Sequence, residues 1–324
     1  MIRSLRWWRY AVLAVGLMEL GGAQAASVTP CASGGPVQCP NIGTYGTPAL
    51  GVLGDNLWLV YQGDSVGTLW ETVYNDNGGG WTRPVPLGVD NAIVASGSPT
   101  LASFNGQLYV AYPTVDAYGY HQVCYNANAG AGFSSANQTC LPISIQGTPS
   151  LAASVGTLWL AFRRTDATGV WVEGLWGTRQ GETHQFFGQD SFLSGSPSVA
   201  DFNGQPYVCF TESSAPLFGS TPWCSSLDGA AAVVGTVNMG ESPAVTAFNG
   251  QFYLVHQAAG LFVNYSLWYA SSTNPTSSTA WSLDNDMGIG HVTGSPAVAV
   301  YHNLIYWTAP TDNHHVLFGV MNTP

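Results

Sequence analysis

The sequence predicts an all-β fold, a six-bladed β-propeller of four-stranded antiparallel blades, and two observations predict it. The first is an internal repeat. The segments Thr47-Pro48-Ala49-Leu50, Ser98-Pro99-Thr100-Leu101, Thr148-Pro149-Ser150-Leu151, Ser196-Pro197-Ser198-Val199, Ser242-Pro243-Ala244-Val245 and Ser295-Pro296-Ala297-Val298 recur, their prolines stepping by 51, 50, 48, 46 and 53 residues. The second is an aromatic ten residues after each proline: Trp58, Tyr109, Trp159, Tyr207, Tyr253 and Tyr306. A period near fifty residues with several short strands per unit describes a propeller blade.

Each unit reads as sheet from end to end. Its first strand is small and apolar, as in Pro243-Ala244-Val245-Thr246-Ala247-Phe248. An Asn-Gly turn follows at Asn105-Gly106, Asn203-Gly204 and Asn249-Gly250, a pair that accepts positive φ at both positions and joins antiparallel strands tightly. The other units vary this turn with Asp55-Asn56, Val155-Gly156 and His302-Asn303. The second strand carries the fixed-offset aromatic. A third aromatic strand holds Trp70, Tyr120, Trp171, Trp223 and Trp268, and a weaker fourth closes the unit, as at Trp81 to Leu87. The last repeat stops after three strands, so its fourth is expected from the N-terminal stretch near 36–43, which removes an open sheet edge.

The first 25 residues read as an export signal. Arg3, Arg6 and Arg9 precede a short apolar run, Ala11 to Met18, and Ala23-Gln24-Ala25 offers a cleavage site. Residues 26–324 are then expected to form one propeller domain with repeats beginning near 47, 98, 148, 196, 242 and 295, secreted or periplasmic after cleavage near Ala25. Six cysteines remain, and an even count behind an export signal favours disulfides. Fifteen pairings are open in principle; the spacing favours three local couples, Cys31–Cys39, Cys124–Cys140 and Cys209–Cys224.

Charge narrows the partners. The chain has seven Lys and Arg against eighteen Asp and Glu, a formal charge of −11, and beyond the signal its arginines are only Arg83, Arg163, Arg164 and Arg179. No basic patch is available to displace counterions, so neither nucleic acid nor an anionic membrane is an expected partner. No later segment is apolar enough to insert into a bilayer. Motifs for a serine nucleophile, a zinc protease or a phosphate loop are absent, and no cofactor or metal is expected. His314-His315 reads as a surface pair.

The repeat, in the form Ser-Pro-Ala-Val-x-x-Phe-Asn-Gly-Gln-Phe-Tyr-Leu-Val-His at 242–256, resembles that of the Photorhabdus-type propeller lectins and related secreted proteins. Leu267-Trp268-Tyr269, Trp81-Thr82 and Trp281-Ser282 match its later strands. The resemblance implies a multivalent carbohydrate-binding protein, its partners glycans, often fucosylated or methylated, in pockets between blades. The sequence departs from that family after the second strand, where only Val255-His256-Gln257 and Ala161-Phe162-Arg163-Arg164 approach the family's Val-His-Arg-Gly.

Sugar-binding candidates follow from chemistry as well. Trp70, Tyr120, Trp171, Trp223 and Trp268 could stack on a sugar ring, with Glu71 and Glu173 holding hydroxyls. Arg163 and His256 complete the set. Adjacent strand residues point to opposite faces, so only one of Arg163 and Arg164 enters any given pocket. Asp76 to Trp81 partly resembles the sialidase Asp-box turn, yet four scattered arginines disfavour a three-arginine carboxylate clamp. No acid pair for glycoside hydrolysis can be named, and no residue is assigned a catalytic role. Two alternatives to a lectin stand beside it: a hydrolase or lyase with one asymmetric funnel site, and a protein-binding scaffold or adhesin.

Overall fold

The computed structural model describes residues 26–31, 39–63, 65–75, 80–89, 92–128, 132–165, 169–186, 193–213, 220–234, 239–258 and 265–323. Residues 1–25 and Asp76 to Gly79 of the Asp-box-like turn lie outside them. The described chain is a six-bladed propeller of antiparallel sheets.

Blade one is built from Ala49–Leu53, Asn56–Gln62 and Leu69–Asn75, with an outer edge split into Gly80–Trp81 and Val85–Pro86. The break falls at Arg83-Pro84, where proline removes a ladder donor. Blade two comprises Thr100–Phe104, Gln107–Val115, His121–Asn128 and Thr139–Leu141. Blades three and four have longer inner strands, Ile145–Ser154 and Leu193–Phe202, each carrying a register shift just before its repeat Ser. Blade five runs from Ala244–Phe248 to Asn285–Ile289. Blade six has Ala297–Tyr301, Leu304–Pro310 and Val316–Asn322.

The strand that completes blade six is Ser27–Pro30, not the stretch near 36–43. Val28 explains the choice: with Thr29 it gives the segment two adjacent β-branched residues, and it packs into the cluster between blades five and six. The end of the expected stretch still touches blade six, through the Gly43–His315 bridge and the Val316 N–H donated to the Ile42 carbonyl. In blade one the tight turn is centred on Gly54-Asp55, one residue earlier than expected, because Gly54 takes the positive φ of 59°.

All three local disulfides are formed. Cys124–Cys140 ties the third strand of blade two to its fourth, and Cys209–Cys224 the second strand of blade four to its third. Cys31–Cys39 pins the segment after the closing strand.

One apolar wedge lies between each pair of neighbouring blades, which is how a blade buries both faces. The repeat residues do a different job at the axis. Each inner strand turns an open edge toward the centre, and unpaired edge amides are costly when water is excluded. The Ser and Thr that flank each proline answer them. Thr47, Thr148, Ser196 and Ser242 donate their N–H groups to the hydroxyls of Ser98, Ser196, Ser242 and Ser295, at 2.8, 2.7, 2.6 and 3.1 Å. A deeper arc runs the other way: Leu151, Val199 and Val245 donate to Thr100, Ser150 and Ser198, at 3.1, 3.0 and 3.1 Å. Neighbouring blades are thereby cross-linked through side-chain oxygens.

Candidate functional site

The Thr/Ser-Pro segments surround a narrow axial channel of about 110 Å³. Above them it opens into a funnel of about 660 Å³. Two positions of the repeat contribute to the lining of this funnel, though not in every blade. One is the residue two before the proline: Gly46, Gly97, Gly147, Gly195, Glu241 and Gly294. The other lies fourteen residues after that proline, Gln62, Pro113, Arg163, Thr211, Gln257 and Pro310, of which Arg163 and Pro310 line the funnel.

Packing explains why the first position is glycine in five blades. A Cβ there would sit 2.7 Å from the Ser98 hydroxyl at Gly46, 2.5 Å from Ser196 at Gly147 and 2.8 Å from Ser242 at Gly195. At Gly97 and Gly294 it would meet the rings of Pro113 and Pro310 at 3.0 and 2.9 Å. Blade five alone carries a side chain, Glu241, and presents it to the funnel. At the second position blade three alone carries a charge, Arg163. Its guanidinium donates to the Gly195 carbonyl at 2.5 Å and to Gln146 Oε1 at 2.9 Å, which fixes it on the wall between blades three and four.

Blade six supplies the remaining charge through its turn Thr311 to His315. The turn closes on itself, Thr311 N–H to the His315 carbonyl and His314 N–H to the Thr311 carbonyl, with His314 at a φ of 60°. It is clamped to blade one by the Thr44 N–H on the His314 carbonyl at 2.6 Å and by the stacking of Tyr45 on the His314 ring, centroids 5.0 Å apart. Asp312, His314 and Tyr45 all line the funnel. Glu241 is open to the funnel's water, yet the enclosing walls exclude enough of it to raise its carboxyl pKa. Burial likewise lowers that of Arg163.

Of the nine residues proposed from sequence as sugar ligands, only Arg163 reaches this cavity. Trp70, Trp171 and Trp223 are half-buried, packed against the wedges between blades six and one, two and three, and three and four. Trp268 is half-buried and donates its indole N–H to Ser266 Oγ at 2.7 Å. Glu173 is half-buried, and desolvation raises its pKa against the opposing pull of Arg164. Glu71 has one carboxylate oxygen buried without a hydrogen-bond partner, and burial pushes its pKa up to about 7. Tyr120 is 71 % exposed.

His256 is fully buried. Its Nε2 faces both Asp284 oxygens at 3.0 and 3.1 Å and its Nδ1 the Gln257 carbonyl at 3.1 Å, so it offers no surface to a ligand. Arg163 and Arg164 diverge as strand alternation requires, Arg164 lying 5.3 Å over the Trp171 ring. Sequence reasoning passed over Glu241, Asp312, His314 and Tyr45 as site residues. The signal that marks Glu241 and Arg163 is departure from the repeat at positions where the other blades agree on small or uncharged residues.

No protein-family model matches the chain, and no curated protein matches it. Solved structures do. The Hadza microbial sialidase Hz136 aligns over 86 % of this chain and 66 % of its own at 11 % identity, with a TM-score of 0.61. The Trypanosoma rangeli sialidase in complex with sialic acid aligns over 91 % and 57 % at 11 % identity, with a TM-score of 0.54. The chain thus spans two thirds or less of either sialidase. The GH43_1 enzyme from Xanthomonas citri complexed with xylose aligns over 91 % and 90 % at 14 % identity, with a TM-score of 0.48.

These neighbours are glycoside hydrolases and sialidases, not Photorhabdus-type lectins, and they overturn both that resemblance and the multivalent lectin expected from it. The physical reason is that the repeat encodes the strand–turn–strand packing any such blade needs. It carries the fold and leaves function to the departures from it.

Proposed function

We propose that this chain cleaves glycosidic bonds, as a hydrolase or lyase, at a single site in the axial funnel. The observation that carries the proposal is convergence. The two charged departures from the repeat, Glu241 and Arg163, meet Asp312 and His314 in one cavity. They come from blades three, five and six, so the site is asymmetric and occurs once per molecule.

Bond cleavage at a sugar acetal needs a protonated acid beside the leaving oxygen and a second carboxylate on the reacting face. Glu241 suits the first role, since desolvation raises its pKa and so favours the protonated form that a general acid needs. Asp312 supplies the second carboxyl, and Arg163, held rigid by two acceptors, has further N–H groups for sugar hydroxyls. A sialidase-type clamp is not supported. Arg83 is exposed on the outer edge of blade one, Arg164 covers Trp171, and Arg179 pairs with Glu182 on the opposite face. The three disulfides support a further part of the reading, export of residues 26–324 to an oxidising compartment.

The test is turnover of a panel of neutral and acidic glycosides and polysaccharides by the disulfide-intact protein, wild type against Glu241→Gln. Loss of a general acid is expected to lower kcat by about 10²–10⁴ with the circular dichroism spectrum unchanged. A panel with no cleaved member, or a Glu241→Gln enzyme as fast as wild type, sinks the proposal.

A further inference from the structure

Exposed apolar side chains of blades one and two gather on the funnel face, where blade five also exposes Tyr265, at 65 %. Among the described residues, Tyr45, Val66, Val94, Val115, Tyr118 and Tyr120 are 43–87 % exposed, and all belong to blades one and two. Their common face follows from the topology. The inner strand of blade two leaves the funnel at Ser98, turns at Asn105-Gly106, and the second strand returns to end at Val115. The loop 116–120 therefore stands on the funnel face of blade two, outward of Ser98 on the cavity wall. Its base is tied to the segment entering the blade, through the Ser96 N–H on the Pro113 carbonyl and the Thr114 hydroxyl on the Val94 carbonyl.

That loop is rigidly built around two protruding rings. Asp116 Oδ1 accepts the N–H groups of both Tyr118 and Tyr120 at 2.9 Å. The Asp116 N–H returns to the Tyr120 carbonyl, and the Gly119 N–H to the Asp116 carbonyl. Tyr118 is 87 % exposed and Tyr120 71 %. Two backbone hydrogen bonds and two to the Asp116 carboxylate order the loop backbone, while neither ring buries apolar area in the fold. A tyrosine on an ordered loop has only two side-chain torsions to lose, so stacking a ligand on it costs little entropy.

We propose that Tyr118 and Tyr120 form a stacking platform for a glycan chain that extends out of the funnel, past Tyr45 on its wall. The proposal rests on the funnel being a glycan site and names its substrate class: a neutral oligo- or polysaccharide of several residues. A pyranose offers an apolar CH face to a tyrosine ring, and the tyrosine hydroxyl reaches the sugar's own hydroxyls. Continuity with the funnel favours a chain over an isolated sugar. Charge favours a neutral chain, since the platform holds no Lys or Arg, Asp116 sits at its centre, and the protein carries −11 overall.

The test is affinity electrophoresis and calorimetry with neutral oligosaccharides of two to six residues and with their parent polymers. Polygalacturonate serves as the acidic comparison. Wild type is run against the Tyr118→Ala/Tyr120→Ala double variant, both in the Glu241→Gln background so that nothing is consumed. Affinity that rises with chain length in wild type and flattens in the double variant, about ten-fold weaker for the longest chain, supports the platform. Equal length dependence in both proteins overturns it. So does preference for the acidic polymer, or tyrosine-dependent self-association in sedimentation without any glycan. Length-dependent binding with no turnover in the Glu241-bearing protein would retain the platform and remove the cleavage chemistry, so the two proposals fail separately.

Discussion

The channel wall and the funnel rim are a few residues apart in every blade, and they follow opposite rules. On the wall the sequence keeps its repeat: proline, flanking hydroxyls and small apolar residues recur, and from blade one to blade six each inner strand is linked to the next through a side-chain oxygen. On the rim the repeat is broken at single positions, and the breaks at Glu241 and Arg163 introduce charged groups that face the cavity. Glu241 replaces a glycine that five blades require for packing, and Arg163 stands where other blades use Gln, Thr or Pro. Constancy around the axis is the mark of assembly. A solitary charged departure facing a cavity is the mark of chemistry.

The sharpest way to break this comparison is to exchange the two behaviours. Glu241→Gly restores the repeat and is expected to leave stability within about 0.5 kcal/mol, as surface changes do, while lowering turnover by about 10²–10⁴. Gly147→Ala imposes the departure on the wrong blade. Its Cβ would lie 2.5 Å from the Ser196 hydroxyl, and the residue holds a φ of 79°. The expected cost is about 2 kcal/mol or more in urea unfolding, from the clash and the left-handed backbone together. A stable Gly147→Ala protein, or an unstable Glu241→Gly one, would mean the rim position is not set by packing.

Two glutamates with raised pKa sharpen the same contrast, because one faces the funnel and the other lies within a wedge. Glu71 shares a strand face with Leu69, toward blade two, and one of its oxygens is buried with no partner. Its folded pKa of about 7 lies above the ordinary value of 4.5, so the folded state binds the proton more tightly than the unfolded one. The stability tied to this proton is full below pH 4.5 and is lost as pH rises through about 7. Glu71→Gln is therefore expected to flatten the fall in melting temperature between pH 5 and pH 8 and to raise it by a few degrees at pH 8. Parallel profiles for the two proteins would contradict the burial assigned to this carboxyl.

The wall was legible in the sequence because periodic features report on it. Six prolines, six aromatics at one offset and the Asn-Gly turns fix blade number and strand order, and local cysteine spacing gives the three disulfides. Closure was less legible: Ser27-Val28-Thr29-Pro30 carries only four residues of pattern, and its partner Gly319 to Asn322 is distant in sequence. The site was hardly legible at all. Aromatic residues at a repeated position drew the candidates toward the wedges, where Trp70, Trp171 and Trp223 pack. His256, at a position shared with a lectin motif, is consumed by Asp284. Asp312 and His314 lie in a turn whose place over the funnel depends on contacts with Thr44 and Tyr45, far away along the chain.

The wall itself is not uniform, and the smallest expected effect tests that. The deeper arc of hydroxyls joins blades two to three, three to four and four to five through Thr100, Ser150 and Ser198. The equivalent residues of blades one, five and six are Ala49, Ala244 and Ala297, which have no oxygen to offer. The seams between blades one and two and between blades five and six thus lack the deeper link and keep the other one, Thr47 to Ser98 and Ser242 to Ser295. Ser150→Ala removes the acceptor of the Val199 amide and is expected to cost about 1 kcal/mol, the net worth of one hydrogen bond. Ala244→Ser places an oxygen, by the repeat, opposite the Val298 amide, and is expected to stabilise by about 0.5–1 kcal/mol. Urea midpoints moving in opposite directions for these two variants would establish the hydroxyls as the links between blades. A stabilising Ser150→Ala would assign the inner edge to water instead.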